Sequence, residues 1–320
     1  MVPKNKKNNS NPNERYVIGV DGGGSKTIVV LANLKGKVLV KARTGSSHPR
    51  NIGIKKAVAN IARTIRKVLP KNKKISAVFI GIPAMEEEFK FKKSFITKEL
   101  LKRKEIPPTL KGKIIIGSDQ LAGFRSGTDK KDGIVLNAGS GSVVHGWQRE
   151  KEIKICGWGY LSEAGSAFFI GQKTLQAIFK EIDGRGKKTL LTKLIFKKLK
   201  IKTKEELICS VYSKRPMEII PSFSVSCAQA GKKGDEVAKN ILTEAGKELA
   251  LSANTAIKKL NFQKNKFPLV LIGSLFKSKI ILETVKKEIK KTAPKADFVK
   301  PKEEPVRGAV KLAIEAVQNE

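Results

Sequence analysis

One pattern of apolar runs and glycine-rich turns occurs twice in this chain of 320 residues. The first copy reads VIGVDGGGSKTIVVLANLKGKVLVKARTG from residue 17, and the second reads GIVLNAGSGSVVHGWQREKEIKICGWG from residue 133. Each copy predicts a strand, a glycine-rich turn, a second strand, a hairpin and a third strand. A duplication of this kind predicts an α/β protein made of two related lobes, with a ligand-binding cleft between them.

The predicted boundaries follow from this duplication. Residues 1–14 are polar and predict a disordered leader, and they lack the apolar segment of a secretory signal. The first lobe is predicted over 15–122 and the second over 123–303, with helical periodicity between their strands. Residues 304–320 predict a C-terminal helix that packs back on the first lobe.

Basic side chains greatly outnumber acidic ones, with 65 Lys and Arg against 29 Asp and Glu and a formal net charge of +36. Such an excess is typical of proteins that bind nucleic acid or anionic surfaces. Lysine far exceeds arginine, however, the lysine runs are spread along the chain, and aromatic residues make up only 6%. Phosphate and base recognition favour arginine, and single-strand binders interleave aromatic side chains. We therefore expect a lysine-rich solvated surface and no specific nucleic-acid partner.

The cysteines and the hydropathy pattern indicate a compartment. Cys156, Cys209 and Cys227 are far apart and form no CxxC pair. This arrangement suits a reducing environment and argues against a disulfide framework or a zinc site. No run approaches the roughly 18 consecutive apolar residues of a membrane span. We expect a cytoplasmic protein without a membrane partner.

The first glycine-rich turn joins an acid to three glycines, Gly22, Gly23 and Gly24. Glycines let the main chain turn tightly and let its N–H groups approach an anion with no Cβ in the way. Asp21 has the wrong charge for phosphate but the right charge to hold the Mg2+ that accompanies a nucleotide. The second turn, residues 137–142, repeats the glycine pattern, which favours a shared phosphate-binding role over two ordinary hairpin turns. The predicted phosphate-binding residues are Gly22, Gly23, Gly24, Ser25, Lys26, Thr27, Gly139, Ser140, Gly141 and Ser142.

A second acid, Asp119, follows the buried run IIIGS. α/β folds present ligand-binding groups at the carboxyl ends of their strands. A carboxylate there can orient or deprotonate a hydroxyl that attacks a γ-phosphate. The alternative is that Asp119 only caps the helix that follows. The sequence contains no GxxxxGK[ST] and no GxGxxG at these turns, which excludes a P-loop and a dinucleotide fingerprint.

The sequence resembles the superfamily of sugar kinases, heat-shock chaperones and actin. Within it, the chain is similar to the N-acetylglucosamine kinase family, which is grouped with BadF/BcrA-type ATPases. The segments that carry the resemblance are VIGVDGGGSKT, IIIGSDQLAG, GIVLNAGSGS, GWGYLSEAGSAFFIGQ and LVLIGSLF. The resemblance implies two ribonuclease H-like (actin-like ATPase) lobes with ATP and Mg2+ as cofactors. It also implies phosphorylation of a hydroxyl of a small amino sugar such as N-acetylglucosamine.

The resemblance also assigns roles to individual residues. Asp119 is implied as the catalytic carboxylate, and Gly273 and Ser274 are implied on the adenosine side. The residues assigned to the sugar are His48, Asp119, Ser140, Gly141, Trp158, Gly159 and Glu163.

The chain departs from the family pattern around the sugar. Family members commonly read GDEGS or SDEGS where this chain reads SEAGS, so that Glu163 replaces an Asp and Ala164 replaces a Glu. The extra methylene of Glu163 moves its oxygens by about 1 Å, enough to change which hydroxyls it can reach. His48 stands at or next to the place of a sugar-contacting Asn, and Ser274 replaces a Gly. The sugar and the phosphorylated hydroxyl stay open.

Two other functions also fit the sequence. One is a BadF/BcrA-type ATPase that acts on a protein partner, although the three cysteines do not match the pair with which the activase branch holds an iron–sulfur cluster. The other is a nucleotide-binding protein without sugar kinase turnover. The choice between a monomer and a homodimer also stays open.

Overall fold

The computed structural model describes residues 14–24, 26–70, 73–83, 93–212 and 216–319. It divides into two compact units, of which unit 1 comprises residues up to Asp129 and from Pro301, and unit 2 runs from Lys130 to Lys300. The elements of the first part of unit 1 are β1 (Arg15–Gly22), β2 (Thr27–Asn33), β3 (Val38–Thr44), α1 (Pro49–Ile52), α2 (Ile54–Val68), β4 (Lys74–Ile82), α3 (Lys93–Leu101), β5 (Ile114–Ser118) and α4 (Asp119–Gly127). Those of unit 2 are β6 (Gly133–Ala138), β7 (Ser142–Gln148), β8 (Lys151–Cys156), α5 (Ala167–Ile182), α6 (Leu190–Leu199), α7 (Lys204–Val211), α8 (Pro216–Lys232), α9 (Glu236–Lys259), β9 (Phe267–Ile272), α10 (Lys279–Thr292) and β10 (Ala296–Val299). The chain then returns to unit 1 with α11 (Pro305–Gln318).

The sheet of unit 1 has the strand order β3-β2-β1-β4-β5. β1 and β2 pair antiparallel across the glycine-rich turn, whereas β1, β4 and β5 run parallel. Apolar side chains of α2 and α3 cover one face of the sheet, and those of α4 and α11 cover the other. β1 is therefore buried on both faces, which explains its nearly continuous apolar sequence.

Helix α11 packs closely on the first sheet and on α4. A Cβ on Gly19 of β1 would lie 2.6 Å from the backbone nitrogen of Val310, and a Cβ on Gly308 would lie 1.8 Å from the carbonyl oxygen of Ala122. Both glycines thus permit a backbone approach that any side chain would prevent. This packing attaches the C-terminal helix to the sheet from which it is most distant in sequence.

The sheet of unit 2 repeats the same topology with the order β10-β9-β6-β7-β8. β6 takes the place of β1, since it pairs antiparallel with β7 across the second turn and parallel with β9. Helices α9 and α10 pack on this sheet, and α5 and α8 pack on α9, so that all four helices share one apolar core with the strands. The repeated strand order confirms the predicted α/β fold of two related halves.

The structure differs from the predicted boundaries in physically clear ways. Helix α4 continues to Gly127 and packs against α11, so the first division falls after Asp129 instead of residue 122. The second falls after Lys300 instead of residue 303, because β10 ends at Val299. The predicted leader lies outside the described residues except for Glu14.

Candidate active site

The first turn is held in place by the loop that follows β3. The amide of Gly23 donates to the Lys26 carbonyl at 2.9 Å and closes the turn, and the Gly23 carbonyl accepts from Ser47 N at 3.1 Å and from Ser46 Oγ at 3.3 Å. A trans peptide places its C=O and N–H on opposite sides. Anchoring the Gly23 carbonyl therefore directs the amide of Gly24 away from this loop.

The glycines of the first turn serve two purposes. A Cβ on Gly22 would lie 2.4 Å from Ser47 Oγ and 2.8 Å from the Gly81 carbonyl oxygen, so packing alone requires a glycine there. Gly24 is exposed, and a Cβ there would meet nothing closer than 3.9 Å. Among the described residues of this turn, Gly24 is thus the position at which a ligand can approach the main chain. The predicted phosphate-binding residue Ser25 lies outside the described residues.

The carboxylates of Asp21 and Asp119 stand at the same edge of the first sheet. Asp21 pairs with Gly81 of β4, and Gly81 pairs with Gly117 of β5, two residues before Asp119. Because neighbouring strands lie about 4.8 Å apart, one intervening strand separates the two acids by roughly 10 Å of backbone. A Cβ on Gly81 would lie 3.2 Å from Asp119 Cα, so glycine at this point lets the start of α4 settle against β4.

Asp21 carries a charge in unfavourable surroundings. Burial raises the pKa of Asp21 to about 6, and Glu304 contributes to the rise, while Lys26 lowers it. A carboxylate that is short of solvation gains from a bound cation more than an exposed one does. Among the described residues, no three His, Cys, Asp or Glu side chains are grouped so that they could hold a metal ion by themselves.

Asp119 is the first residue of α4, and the cap of that helix is the preceding residue. Ser118 Oγ accepts from the amide of Gln120 at 3.0 Å, which is the N-cap hydrogen bond. The alternative that Asp119 only caps the helix is therefore wrong. Its Oδ2 accepts a hydrogen bond from Gln120 Nε2 at 3.1 Å, which orients the carboxylate at the strand end.

The second turn is anchored by the N-terminus of α5. The carbonyls of Gly139 and Ser140 accept from the amides of Ala167 at 2.9 Å and Phe168 at 3.3 Å. These amides would otherwise lack intrahelical partners. Since each peptide is trans, the anchored carbonyls direct the amides of Ser140 and Gly141 to the opposite side of the turn. Two consecutive N–H groups pointing outward are what an anion-binding turn requires.

The remaining amides of the second turn are bonded within the protein. Gly139 N donates to the Gly141 carbonyl at 2.8 Å, and Ser142 N donates to Glu163 Oε2 at 3.1 Å. Glu163 Oε1 also accepts from Gly159 N at 2.8 Å. A Cβ on Gly141 would lie 2.1 Å from Glu163 Oε2, whereas a Cβ on Gly139 would meet nothing within 4 Å.

The residues predicted for the sugar side lie close to the two turns, each within its own unit. His48 precedes α1, and its Cδ2 lies 4.0 Å from the Cβ position of Gly24. In unit 2, Trp158 and Gly159 follow β8, and Gly159 has a φ of 117°, which favours glycine. Trp158 is 54% exposed, with Lys154 Nζ 5.1 Å from its ring centroid, so its indole lies at the surface and does not pack in the core.

Gly273 and Ser274 lie at the end of β9, next to the second turn. Gly273 has a φ of 105°, and a Cβ there would lie 2.1 Å from the carbonyl oxygen of Ala138, the residue before Gly139. Both residues are exposed. The structure thus places the predicted adenosine side beside the predicted phosphate turn of unit 2.

Comparison with protein families identifies the group to which this chain belongs. Residues 18–313 match the BadF/BadG/BcrA/BcrD ATPase family. The chain belongs to this ATPase family. The resemblance inferred from the sequence is thereby confirmed, and membership implies that the chain uses ATP.

Two curated relatives of this ATPase are each 30% identical to it and cover 93% of the chain. One is the N-acetylmuramic acid/N-acetylglucosamine kinase of Clostridium acetobutylicum, 98% of which is covered, and the other is the N-acetyl-D-glucosamine kinase of Dictyostelium discoideum, 97% of which is covered. Among solved structures, a ROK family glucokinase from Streptomyces griseus in complex with glucose and AMPPNP has a TM-score of 0.62 at 13% identity. The match covers 95% of this chain and all of that one. It supports the two-lobed fold of this family.

Two predicted phosphate ligands use their hydroxyls inside the ATPase instead. Thr27 Oγ1 donates to the Gly45 carbonyl at 2.7 Å and is fully buried, and Ser142 Oγ donates to the Ala164 carbonyl at 3.0 Å. Both hydroxyls therefore donate to backbone carbonyls next to the turns, whereas the sequence predicted that these residues bind phosphate.

Sequence reasoning also missed several supports of the two turns. Ser46 and Ser47 anchor the first turn, and Gly81 makes room between the two acids. A Gly-Ser-Ser run after β3 was the one signal in the sequence that could have indicated the anchor of the first turn.

None of the described helices has the length and apolar character of a membrane-spanning segment.

Proposed function

We propose that this ATPase is a kinase that transfers the γ-phosphate of ATP to a hydroxyl of an N-acetylated amino sugar such as N-acetylglucosamine. The observation that carries the proposal is the pair of carboxylates, Asp21 and Asp119, at one edge of the first sheet beside a glycine turn. The named activities of the two curated relatives, each similar over nearly its whole length, support the choice of sugar class.

The glycine turns supply phosphate binding in this proposal. The outward amides of Ser140 and Gly141, and of Gly24 in unit 1, donate to phosphate oxygens. Lys26, which is half-buried at the end of the first turn, adds a positive charge. Gly273 and Ser274 contact the adenosine side, where a residue without a Cβ leaves room beside Ala138.

Asp119 acts as the catalytic carboxylate. Its position beyond the carboxyl end of β5, oriented by Gln120, lets it accept the proton of the attacking sugar hydroxyl or hold that hydroxyl in line. His48, Trp158 and Gly159 contact the sugar, with the exposed indole of Trp158 stacking on an apolar sugar face. The role of Glu163 is argued in the next subsection.

Asp21 is the residue that fits a magnesium ion. It is a carboxylate directly before the phosphate turn, and burial raises its pKa to about 6. Mg2+ takes oxygen ligands and commonly uses one or two carboxylates together with nucleotide phosphates and water. When bound, the ion neutralises charge on the phosphates during transfer.

We further propose that the protein acts in the cytoplasm on a small-molecule sugar. Lysines dominate the basic surface and are dispersed, so binding to DNA or RNA should be weak, independent of sequence and steeply dependent on salt. Tight sequence-selective binding at physiological ionic strength would contradict this part of the proposal.

A coupled ADP-release assay across a panel of sugars tests the function. N-acetylglucosamine, N-acetylmuramic acid, glucosamine, glucose and a no-sugar control are compared at fixed ATP and Mg2+. The proposal expects ADP release that depends on an N-acetylated amino sugar and yields one sugar phosphate per ADP. Hydrolysis at the same rate without sugar would favour an ATPase that acts on a protein partner. Nucleotide binding with no turnover on any sugar would indicate a binding protein.

A further inference from the structure

The carboxylate of Glu163 joins two segments that the fold brings together from different places in the sequence. Oε2 accepts a hydrogen bond from the amide of Ser142, the residue that closes the second turn, and Oε1 accepts one from the amide of Gly159. Hydrogen bonds from N–H groups to an ionised carboxylate are stronger than those between neutral groups. Glu163 is half-buried, so both bonds are partly shielded from water.

The bond to Ser142 fixes the last peptide of the second turn. The carbonyl of that same peptide, which belongs to Gly141, accepts from Gly139 N. With the Gly139 and Ser140 carbonyls bound to α5, every peptide between Gly139 and Ser142 has a defined orientation. The two outward amides, those of Ser140 and Gly141, hold their direction only while these anchors hold.

The absence of a side chain at Gly141 belongs to the same arrangement. A methyl group there would occupy the place of Glu163 Oε2, since the Cβ position lies 2.1 Å from that atom. A flexible side-chain end can normally move aside at little cost. Here, moving it breaks the hydrogen bonds to Ser142 and Gly159, so Glu163 and Gly141 depend on each other.

We infer that Glu163 is a positioning residue that sets the phosphate-binding geometry of the second turn, instead of contacting the sugar directly. Because its other bond holds Gly159 in the predicted sugar segment, it connects the sugar-binding segment to the phosphate turn. The inference rests on the proposed function for the identity of the ligands. The effect of Glu163 on nucleotide binding, however, can be measured without any sugar present.

Nucleotide affinity without sugar distinguishes the two roles. We would titrate a non-hydrolysable ATP analogue with Mg2+ into the wild-type protein, Glu163→Ala, Glu163→Gln and, as a matched control, Glu150→Gln, an exposed acid in the β7–β8 turn. Loss of the anchor should weaken binding about tenfold in Glu163→Ala, the equivalent of one charged hydrogen bond. Glu163→Gln keeps one acceptor oxygen and should also bind the nucleotide less tightly than the wild type does. The control Glu150→Gln should bind it as tightly as the wild type. Unchanged affinity in both Glu163 variants, with a raised KM for sugar alone, would overturn the inference.

A double-mutant cycle with Gly141→Ala sharpens the test. The methyl group should weaken nucleotide binding strongly in the wild-type background, and much less when Glu163→Ala has removed the atom that it displaces. Additive effects of the two substitutions would overturn the mutual dependence. Thermal melts accompany each titration, and if Glu163→Ala does not fold, Glu163→Gln carries the affinity test. If the wild type shows no sugar-dependent ADP release, the kinase proposal fails while these binding results still decide the role of Glu163.

Discussion

The two glycine turns occupy the same topological place in their sheets, yet the groups around them differ. Each turn connects the central strand to its antiparallel neighbour, and each anchors a carbonyl so that the next amide points outward. The first turn follows Asp21, while the corresponding strand of unit 2 carries Asn137. β5 is followed by Asp119, while β10 is followed by Lys300. Duplication has thus kept the amide geometry, and only unit 1 places carboxylates at these two positions.

This difference indicates a division of labour. Outward amides suffice to bind phosphate, whereas cation binding and proton transfer need carboxylates. The carboxylate of Glu163, the one that bonds to the second turn among the described residues, accepts hydrogen bonds from two backbone amides and so acts on geometry. We therefore expect substitutions in unit 1 to change chemistry and ion dependence, and substitutions in unit 2 to change binding.

The largest expected effect comes from Asp119→Asn. This substitution removes a carboxylate that unit 1 has and that the corresponding position of unit 2 does not have. Turnover should fall by roughly 10²–10⁴-fold, while ATP affinity stays nearly unchanged. Steady-state kinetics and analogue titration measure the two quantities separately. Asp129→Asn, which alters an exposed acid of the same unit, is the control. Near-normal turnover in Asp119→Asn would remove this residue from the mechanism.

Gly22→Ala and Gly24→Ala separate packing from ligand approach within the first turn. The methyl group at Gly22 meets Ser47 and the Gly81 carbonyl, so we expect a loss of about 1–3 kcal/mol in unfolding free energy. Gly24→Ala has open space for its methyl group and should fold normally but bind nucleotide less tightly. Denaturant unfolding and analogue titration test the pair. Equal stability of the two variants would contradict this account.

Asp21→Asn makes the first strand resemble its counterpart in unit 2 and should change the pH dependence of stability. The pKa of Asp21 is about 6 in the folded protein, against about 3.9 for an unperturbed Asp. The folded state therefore binds this proton more tightly than the unfolded chain does. Ionised Asp21 lowers stability fully above pH 6 and hardly at all below pH 4. The Asn variant should melt at a higher temperature than wild type at pH 8, and the gain should vanish toward pH 4.

Asp129→Asn provides a control of opposite sign for this experiment. Its hydrogen bond with Lys311 lowers the pKa of Asp129, so its ionised form favours the folded state above its unfolded pKa. Removing that charge should slightly lower the melting temperature at pH 8, and the loss should disappear as the pH falls. Parallel pH profiles for the two variants would show that the burial of Asp21 has no effect on stability.

The smallest expected effect comes from Trp158→Ala, which tests the binding role of unit 2. Because the indole is mostly exposed, its loss should leave the melting temperature nearly unchanged. The KM for sugar should rise several-fold, as expected when an aromatic stacking contact is lost, with a smaller change in the KM for ATP. Equal increases in both KM values would place Trp158 outside the sugar contact.

Local sequence patterns were sufficient to predict the strands, the two glycine turns and the place of Asp119 at a strand end. These features depend on alternation, apolar runs and glycine spacing over a few residues. The anchor of the second turn could not be predicted, because the contact between Glu163 and Ser142 joins residues 21 positions apart. The contact between Ser47 and Gly23 joins residues 24 apart, and the Gly-Ser-Ser run after β3 was its one local signal. The hydrogen bond from the Thr27 hydroxyl to Gly45 was missed for the same reason, since Gly45 lies in the loop after β3.

The magnesium dependence of nucleotide affinity in two variants tests the division of labour most directly. The dissociation constant of an ATP analogue would be measured with and without Mg2+ for wild type, Asp21→Asn and Glu163→Ala. We predict that Asp21→Asn loses most of the gain in affinity that Mg2+ gives to the wild type. Glu163→Ala should bind more weakly under both conditions while keeping that gain. The same dependence on Mg2+ in both variants would contradict the assignment of the cation to unit 1 and of amide positioning to unit 2.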